Sequence, residues 1–163
     1  MYSLAILESS KGKLTTMLRD RLLTWEDAPS VVLTRGTQLS DFTGTYDLFA
    51  VLASDCAISP LPPDLSCRAL LLPGDAEAAH FSLIPSKWAV SFGLSAKDTI
   101  TVSSVAPDCA VLALQRELVT LDNQVIEQQE IPLSIPQATG AQSVMALVGS
   151  LLLLGMPPEK LTV

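Results

Sequence analysis

Five short apolar runs in the first 93 residues, each ended by a polar turn or a proline-rich loop, constrain the fold of this chain most strongly. The third run, residues 46–52, reads Tyr-Asp-Leu-Phe-Ala-Val-Leu, and such an almost continuous apolar stretch is typical of a strand buried on both faces of a parallel sheet. The other four predicted strands are residues 2–7, 30–34, 68–72 and 87–92. After the first of them, residues 14–23 place apolar side chains at helical spacing, which predicts an α-helix.

The character of the chain changes after Gly93, where short apolar segments alternate with polar turns. Residues 99–105, 110–114, 118–121 and 125–131 are predicted as antiparallel strands, with a tight turn at Asp122-Asn123. Pro132 and Pro136 predict a loop, and residues 137–154 a closing helix that ends at Gly155. The expected fold class is α/β: a mostly parallel, P-loop-like sheet with flanking helices, followed by an antiparallel strand extension and a closing helix.

A single domain is expected, because 163 residues are enough for one hydrophobic core and little more. We divide it into an α/β part (1–95), the antiparallel extension (96–136), and the closing helix and tail (137–163). The chain is 48% hydrophobic and 17% charged, with a mean hydropathy of +0.40. That composition provides enough apolar surface for a packed core and excludes a disordered chain.

The net charge and the apolar segments restrict the partners of this chain. With a formal net charge of −7, its surface repels phosphate backbones, and it has no polybasic run, so we expect neither nucleic acid nor membrane as a partner. The longest apolar stretch, residues 144–156, is shorter than the roughly 20 residues of a membrane-spanning helix. The N-terminal apolar run ends at Glu8 and follows no basic residue, unlike a secretory signal. We therefore expect a cytoplasmic protein.

Three cysteines, Cys56, Cys67 and Cys109, are an odd number at unrelated spacings, and no CxxC pair occurs. The single histidine, His80, has no plausible ligand cluster around it. Buried free thiols in a reducing compartment are the expected state, and a zinc site is not expected.

The turn after the first predicted strand is the strongest candidate for a binding site. It reads Ser9-Ser-Lys-Gly-Lys-Leu-Thr-Thr16 and precedes a helix N-terminus, where backbone N–H groups and the helix dipole favour an anion. Leu14 stands where a phosphate-binding loop has the hydroxyl that binds Mg²⁺, and Ser9 where a second glycine is expected. The alternative is a solvated helix start with Ser10 as its N-cap. The candidate phosphate-binding residues are Lys11, Gly12, Lys13, Thr15 and Thr16.

Two passages in the second half of the chain carry a family resemblance. The first is Lys87-Trp-Ala-Val-Ser-Phe-Gly-Leu-Ser-Ala-Lys-Asp98, followed by Ile-Thr-Val-Ser-Ser-Val at residues 100–105. The second is residues 142–161, which end in Gly-Met-Pro-Pro-Glu-Lys-Leu. The first resembles the tyrosine-glycine-leucine … aspartate … alanine passage of Mur ligases, which precedes antiparallel strands. The second resembles the helix that ends the ATP-binding domain of that family, with its glycine-isoleucine-proline.

The Mur ligase resemblance is specific in order and spacing over residues 88–161. In the first half it depends on Gly12-Lys13, the strand order and residues 46–52. There the loop of residues 9–16 looks like the family's glycine-threonine-asparagine-glycine-lysine-threonine-threonine in a degenerate form. The resemblance implies the central-domain fold of an ATP-dependent amide ligase in a reduced form.

Several features of the family are not carried over. Leu14 stands at the Mg²⁺ hydroxyl position, and Ala141 and Gln142 stand where the family has a histidine and an asparagine. The proline-rich loop at residues 59–63 replaces the stretch that holds the family's metal-binding carboxylate, histidine and modified lysine. Because the sequence ends at Val163, we expect no C-terminal ligase domain.

These losses lead us to predict a non-catalytic Mur-ligase-like domain that acts as an interaction or regulatory module, with no catalytic residue, metal or cofactor. Two alternatives stay open. One is weak binding of ATP or phosphate through Lys13, with Thr15 or Thr16 partly replacing the lost hydroxyl. The other is an ATP-dependent, ligase-related enzyme that recruits missing groups from a partner subunit.

The closing helix leads to a prediction about partners, because its sequence is apolar nearly all the way round. Such a helix must be covered on more than one side. We therefore expect a homodimer or another protein partner bound through apolar surface. The rival interpretation is that residues 99–131 fold over the helix within one chain.

Other residues that could carry chemistry have simpler structural explanations. Asp47, Asp55, Asp64 and Asp75 fall near predicted strand ends, on the rim where α/β sheets bind ligands, but carboxylates there are mostly turn and cap residues. His80 is predicted to cap a helix or to lie on a surface helix. Ser91, Ser103 and Ser104 have no GxSxG context, so a serine triad is not expected. Trp25 and Trp88 are predicted as packing residues.

Overall fold

Ten strands and two α-helices occur in the part of the chain that the computed structural model describes, residues 1–52, 60–134 and 140–161. The helices are α1 (Leu14–Thr24) and α2 (Ala141–Leu153). The strands are β1 (Tyr2–Leu7), β2 (Val31–Gly36), β3 (Thr45–Val51), β4 (Ser66–Pro73), β5 (Ser86–Phe92), β6 (Ile100–Ala106), β7 (Cys109–Leu114), β8 (Leu118–Val119), β9 (Val125–Ile126) and β10 (Gln129–Ser134).

Eight of these strands form one sheet in the order β10-β7-β6-β5-β4-β3-β1-β2. Five neighbouring strands of the sheet are parallel, namely β2, β1, β3, β4 and β5 in sheet order. β6 joins them through the parallel pair Phe92 and Ile100. β6, β7 and β10 are antiparallel, while β8 and β9 form a separate small hairpin. The predicted α/β fold with an antiparallel extension is confirmed.

The two faces of the sheet are covered differently. Both helices pack on one face, where Leu14 and Leu18 of α1 and most of α2 join the larger hydrophobic cluster. The opposite face is covered by two 3-10 segments, Leu39–Asp41 and Ala76–Leu83, and by adjoining loops. Burial on both faces explains why β3 and β4 are almost continuously apolar.

Helix α2 is covered within the chain. Leu151, Leu152, Leu153 and Leu154 are all buried, in a cluster that also contains residues of β7, the β8–β9 hairpin and β10. The Leu121 backbone N–H donates to the Leu153 carbonyl at 2.8 Å, which fixes the hairpin to the helix. The helix is therefore covered within one chain, as the rival interpretation expected, although α1 and strands β3, β4 and β5 cover it together with the antiparallel extension. The uncovered helix that motivated the predicted apolar partner is not present, and association itself stays a prediction.

The predicted boundaries need two corrections near the closing helix. Pro132 does not start a loop: it lies inside β10, paired with Val111, and an edge strand tolerates proline because one side of it has no ladder to maintain. Helix α2 begins at Ala141, four residues later than predicted, and residues 137–139 lie outside the described residues. Its end is as predicted, with Gly155 in the left-handed region at φ 102°.

Candidate functional site

The candidate loop follows β1 at a point where the strand order changes direction. The chain passes from β1 to β2 on one side, whereas β3 lies on the other side of β1. Crevices outside the carboxyl ends of strands at such a point are the usual ligand sites of open α/β sheets. Residues 8–13 follow the carboxyl end of β1 at this point, and residues 53–59, which follow β3, lie outside the described residues.

An internal carboxylate, that of Glu8, occupies the N-terminus of α1. Glu8 directly follows β1 and its side chain is 0% exposed. Its carboxylate accepts hydrogen bonds from the Leu14 N–H at 2.9 Å and the Thr15 N–H at 3.4 Å, and from the Thr15 hydroxyl at 2.9 Å. These are donors that a phosphate at this helix N-terminus would use. The loop is therefore capped by an anion that the chain itself supplies.

A cation balances this buried carboxylate. Arg35, near the end of β2, donates from Nε to Glu8 Oε1 at 2.8 Å, and from Nη2 to the Ser9 carbonyl at 2.8 Å. The Arg35 side chain is 36% exposed, so only the Glu8 end of the pair is fully withdrawn from water. Together the two residues fix the loop to both β1 and β2.

Gly12 makes room for the carboxylate. A Cβ at this position would lie 2.7 Å from Glu8 Oε2, closer than any real Cβ contact. The glycine in the Gly-Lys pair thus serves the approach of an internal carboxylate to the loop.

The structure separates the predicted phosphate-binding residues into two groups. Lys11, Lys13 and Thr16 are exposed, whereas Thr15 is buried and its hydroxyl is used by Glu8. The N-cap residue of α1 is Lys13, whose side chain makes no capping hydrogen bond, so the alternative of Ser10 as N-cap is wrong. The Glu8 carboxylate, six residues before the first helical residue, accepts the hydrogen bond from the helix N-terminus instead. Leu14, at the metal-hydroxyl position, is 0% exposed and belongs to the core. Whether the exposed lysines bind phosphate stays a prediction.

Two of the candidate rim carboxylates lie away from the ligand rim in the described part of the chain. Asp47 lies near the amino end of β3, where it accepts from the Ser3 N–H at 2.9 Å and pairs with Arg68 at 3.3 Å, and Asp64 precedes β4. These two are therefore at the opposite end of the strands from the ligand rim. Asp75 follows the carboxyl end of β4, and Asp55 lies outside the described residues.

A second cavity, of about 340 Å³, lies at the carboxyl ends of β4 and β5 beside the start of α2. Its floor holds Asp98, which is buried and accepts from the Ser95 N–H at 3.1 Å. Gly74 and Gly93 flank this side chain, and a Cβ on either would collide with its carboxylate. Gln142, which stands where Mur ligases have an asparagine, lines the same cavity.

The remaining candidates have structural roles or none that the contacts define. Trp25 and Trp88 pack against the larger cluster, as predicted. His80 lies in the 3-10 helix Ala76–Leu83, with its ring centroid 3.9 Å from that of Phe81. The Ser103 hydroxyl donates to the Val111 carbonyl at 3.1 Å. Within the described ranges, no group of three or more His, Cys, Asp and Glu side chains is placed to hold a metal ion.

Sequence reasoning missed the roles of Glu8 and Arg35, and it identified Asp98 only as the aspartate of the passage that resembles Mur ligases. In the sequence Glu8 was visible only as the residue that ends an apolar run, and Arg35 lies just beyond the predicted strand of residues 30–34, although the structure includes it in β2. A carboxylate placed six residues before a helix start, with a glycine between them, is the signal that could have identified the self-capped loop.

The fold defined by these elements is that of a Mur-ligase-like α/β domain, as two solved structures indicate. The chain is similar over 99% of its length to "Crystal structure II of MurF from Acinetobacter baumannii", with a TM-score of 0.61 and 12% identity. It is similar over the same share to a UDP-N-acetylmuramoylalanyl-D-glutamyl-2,6-diaminopimelate–D-alanyl-D-alanyl ligase of that organism, with a TM-score of 0.60 and 14% identity. It covers 44% and 45% of those two chains, less than half of each.

No family model matches the sequence, and a search of curated proteins finds no match. At 12–14% identity the likeness to the two ligase structures concerns the fold alone. No helix of the described residues is both long and apolar enough to cross a bilayer.

Proposed function

We propose that this chain is a non-catalytic Mur-ligase-like domain that acts as an interaction or regulatory module. The observation that carries the proposal is the Glu8 carboxylate at the N-terminus of α1. A negative charge already fills the position that a nucleotide phosphate would take, and phosphate binding there would require Glu8 to leave.

The residue at the metal position supports the same proposal. Mg²⁺ requires oxygen ligands, and Leu14 provides none. The Leu14 side chain is fully buried in the core cluster, so it cannot turn aside to let another residue's oxygen take the metal position. The hydroxyl of Thr15, the obvious replacement, donates to Glu8 at 2.9 Å.

Weak binding of ATP or phosphate is the second candidate function. The exposed Lys11 and Lys13 at the mouth of the loop favour it, since both could meet a phosphate from the solvent side. This binding would be electrostatic and sensitive to salt. The proteins of similar fold are named as ligases, and a ligase-related activity for this chain would depend on groups that its described residues do not bring together.

We also propose a cytoplasmic setting. Among the described residues, Cys67 and Cys109 are free thiols. Cys67 is buried, which raises its pKa to about 12, whereas Cys109 is exposed and not buried as expected. Unpaired thiols of this kind are typical of a reducing compartment.

Calorimetric titration with Mg-ATP tests the main proposal. We expect no heat of binding for the wild-type chain at ligand concentrations up to about 1 mM, which corresponds to less than about 4 kcal/mol of affinity. The matched variants are Lys13→Ala and Lys97→Ala, both of which remove an exposed lysine, one inside and one outside the loop. A dissociation constant in the low micromolar range (about 1–10 µM) that Lys13→Ala abolishes and Lys97→Ala leaves unchanged would promote nucleotide binding over the non-catalytic proposal.

A further inference from the structure

The edge strand β2 has an unused hydrogen-bonding side. The Tyr2 N–H donates to the Ser30 carbonyl and the Glu8 N–H to the Gly36 carbonyl, so the even-numbered residues of this strand face β1. Because backbone groups alternate in direction along a strand, the odd-numbered Val31, Leu33 and Arg35 direct their N–H and C=O groups away from the sheet. In the described parts of the chain, no strand pairs with this outer side.

The other edge of the sheet is protected, whereas β2 is not. Edge strands usually carry prolines or free charges, because a bare edge is a template for another strand. The opposite edge, β10, contains Pro132 and Glu130. β2 contains no proline, and its one charged side chain, Arg35, is engaged by Glu8 and Ser9. The free edge of β2 is therefore suited to pairing.

Apolar side chains lie on both faces beside this edge. On the helix face, a groove of about 400 Å³ between α1 and β2 has one charged lining residue, Arg19, and is otherwise lined by apolar residues that include Leu22, Leu23, Val31 and Leu33. Leu23 is 80% exposed at this groove, and on the opposite face Val32 is 48% exposed. Exposed apolar surface on either side of an unpaired strand adds a hydrophobic term to the backbone hydrogen bonds that the edge offers.

The formal charge of the α1–β2 segment, residues 14–36, bears on which partner can approach this edge. Residues 14–36 contain three arginines and three acidic residues, so the whole formal charge of −7 lies elsewhere in the chain. Two copies of a chain with this charge repel each other over most of their surfaces. The α1–β2 segment itself carries no net formal charge, so a second copy that pairs there does not meet that repulsion within the segment.

We propose that β2 pairs antiparallel with β2 of a second copy of this chain, about a twofold axis at Leu33. This register places Leu33 opposite the partner's Leu33, and Val31 opposite the partner's Arg35, and it joins the two sheets into one. Such an isologous contact closes on itself and leaves no free edge at β2. The proposal deepens the interaction role proposed above by naming the partner, and in that respect it rests on that role.

Light scattering and sedimentation of the whole chain between about 1 and 100 µM test the dimer. The wild type is expected to reach twice its mass of 17.3 kDa as the concentration rises. Leu23→Glu places a charge beside the pairing edge and is expected to weaken the dimer about tenfold or more. Leu94→Glu is the matched control, since Leu94 is also 80% exposed but belongs to the β5–β6 connection, and it is expected to leave the dimer unchanged.

A backbone variant tests the strand pairing separately. Val31→Pro removes an N–H that makes no bond to β1, at the first residue of an edge strand, so the monomer is expected to fold with unchanged circular dichroism and lose dimerisation. In the wild-type dimer, the amide protons of Val31, Leu33 and Arg35 are expected to exchange more slowly at high than at low concentration.

Two results would overturn the proposal: a wild-type monomer at the highest concentration, or a dimer that neither Leu23→Glu nor Val31→Pro weakens. The nucleotide titration described above does not depend on either result. A monomer that binds no Mg-ATP would remove the β2 dimer and leave the non-catalytic proposal standing, whereas a dimer that binds Mg-ATP tightly would do the reverse.

Discussion

Replacing Glu8 by alanine is the perturbation that tests the self-capped loop most directly. The change removes the acceptor for the N–H groups of Leu14 and Thr15 and the partner of Arg35. Truncating one side of a buried ion pair costs about 3–5 kcal/mol. Because the Arg35 side chain is 36% exposed, water solvates it after the loss, and we expect a destabilisation of about 2–4 kcal/mol.

Thermal unfolding measures this loss, and added phosphate tests its cause. For a domain of this size, 2–4 kcal/mol corresponds to a Tm lower by about 5–15 °C. In Glu8→Ala the helix N-terminus and Arg35 are left without an anion, so inorganic phosphate is expected to raise the Tm of this variant by mass action. The wild type, whose own carboxylate fills the position, is expected to show little phosphate-dependent change.

Two controls separate the specific effect from general ones. Glu127→Ala removes an exposed glutamate in the turn before β10 and is expected to change stability by less than about 0.5 kcal/mol. Glu8→Gln keeps the size and one acceptor oxygen but loses the charge, so its stability is expected to lie between that of the wild type and that of Glu8→Ala. The reasoning fails if Glu8→Ala is as stable as the wild type, or if phosphate stabilises both proteins equally.

Three further predictions follow from packing and access. Gly12→Ala is expected to destabilise the protein by about 1–3 kcal/mol in denaturant titrations, because the new Cβ would meet Glu8. Gly140→Ala, whose new Cβ would have open space around it, is expected to be nearly neutral in the same assay. Leu152→Ala, at a fully buried position of α2, is expected to cost about 2–5 kcal/mol in the same assay, and a smaller loss would contradict the covered position of that helix. In a Cys56→Ser background near neutral pH, a disulfide reagent is expected to modify the exposed Cys109 quickly, and Cys67, whose burial raises its pKa to about 12, only after unfolding; equal rates by mass spectrometry would contradict this.

The parallel part of the fold was predictable because burial on both faces leaves a clear trace in composition. The predicted strands at residues 2–7, 46–52 and 68–72 match β1, β3 and β4 closely, since each is an apolar run bounded by turn residues. The start of α2 and the course of β10 were less predictable. Pro132 usually breaks a strand, and only its position at the sheet edge, a tertiary fact, allows it there.

The position of the candidate site was predictable from the sequence, but the group that occupies it was not. The order strand, glycine-containing turn and helix indicates an anion position, and the structure has an anion there. The identity of the anion depends on the Glu8 side chain turning back over Gly12 and on Arg35 arriving from β2, a contact across 27 positions of sequence. No local pattern contains that contact.

A carboxylate attached to the loop competes with any free phosphate on unequal terms. Glu8 is held beside α1 by the chain, so its association with the Leu14 and Thr15 N–H groups costs no translational freedom, whereas a nucleotide must lose that freedom on binding. A nucleotide would also have to expel Glu8 from a fully buried position and break its pair with Arg35. Each 1.4 kcal/mol of that displacement lowers the apparent affinity about tenfold, so a cost of about 2–4 kcal/mol raises an intrinsic dissociation constant of about 1 µM to between about 30 µM and 1 mM. The exposed Lys11 and Lys13 restore only part of this, because charge pairs in water contribute about 1 kcal/mol or less. The same contacts that stabilise the loop therefore favour a structural use of this phosphate-binding framework over a nucleotide-dependent one.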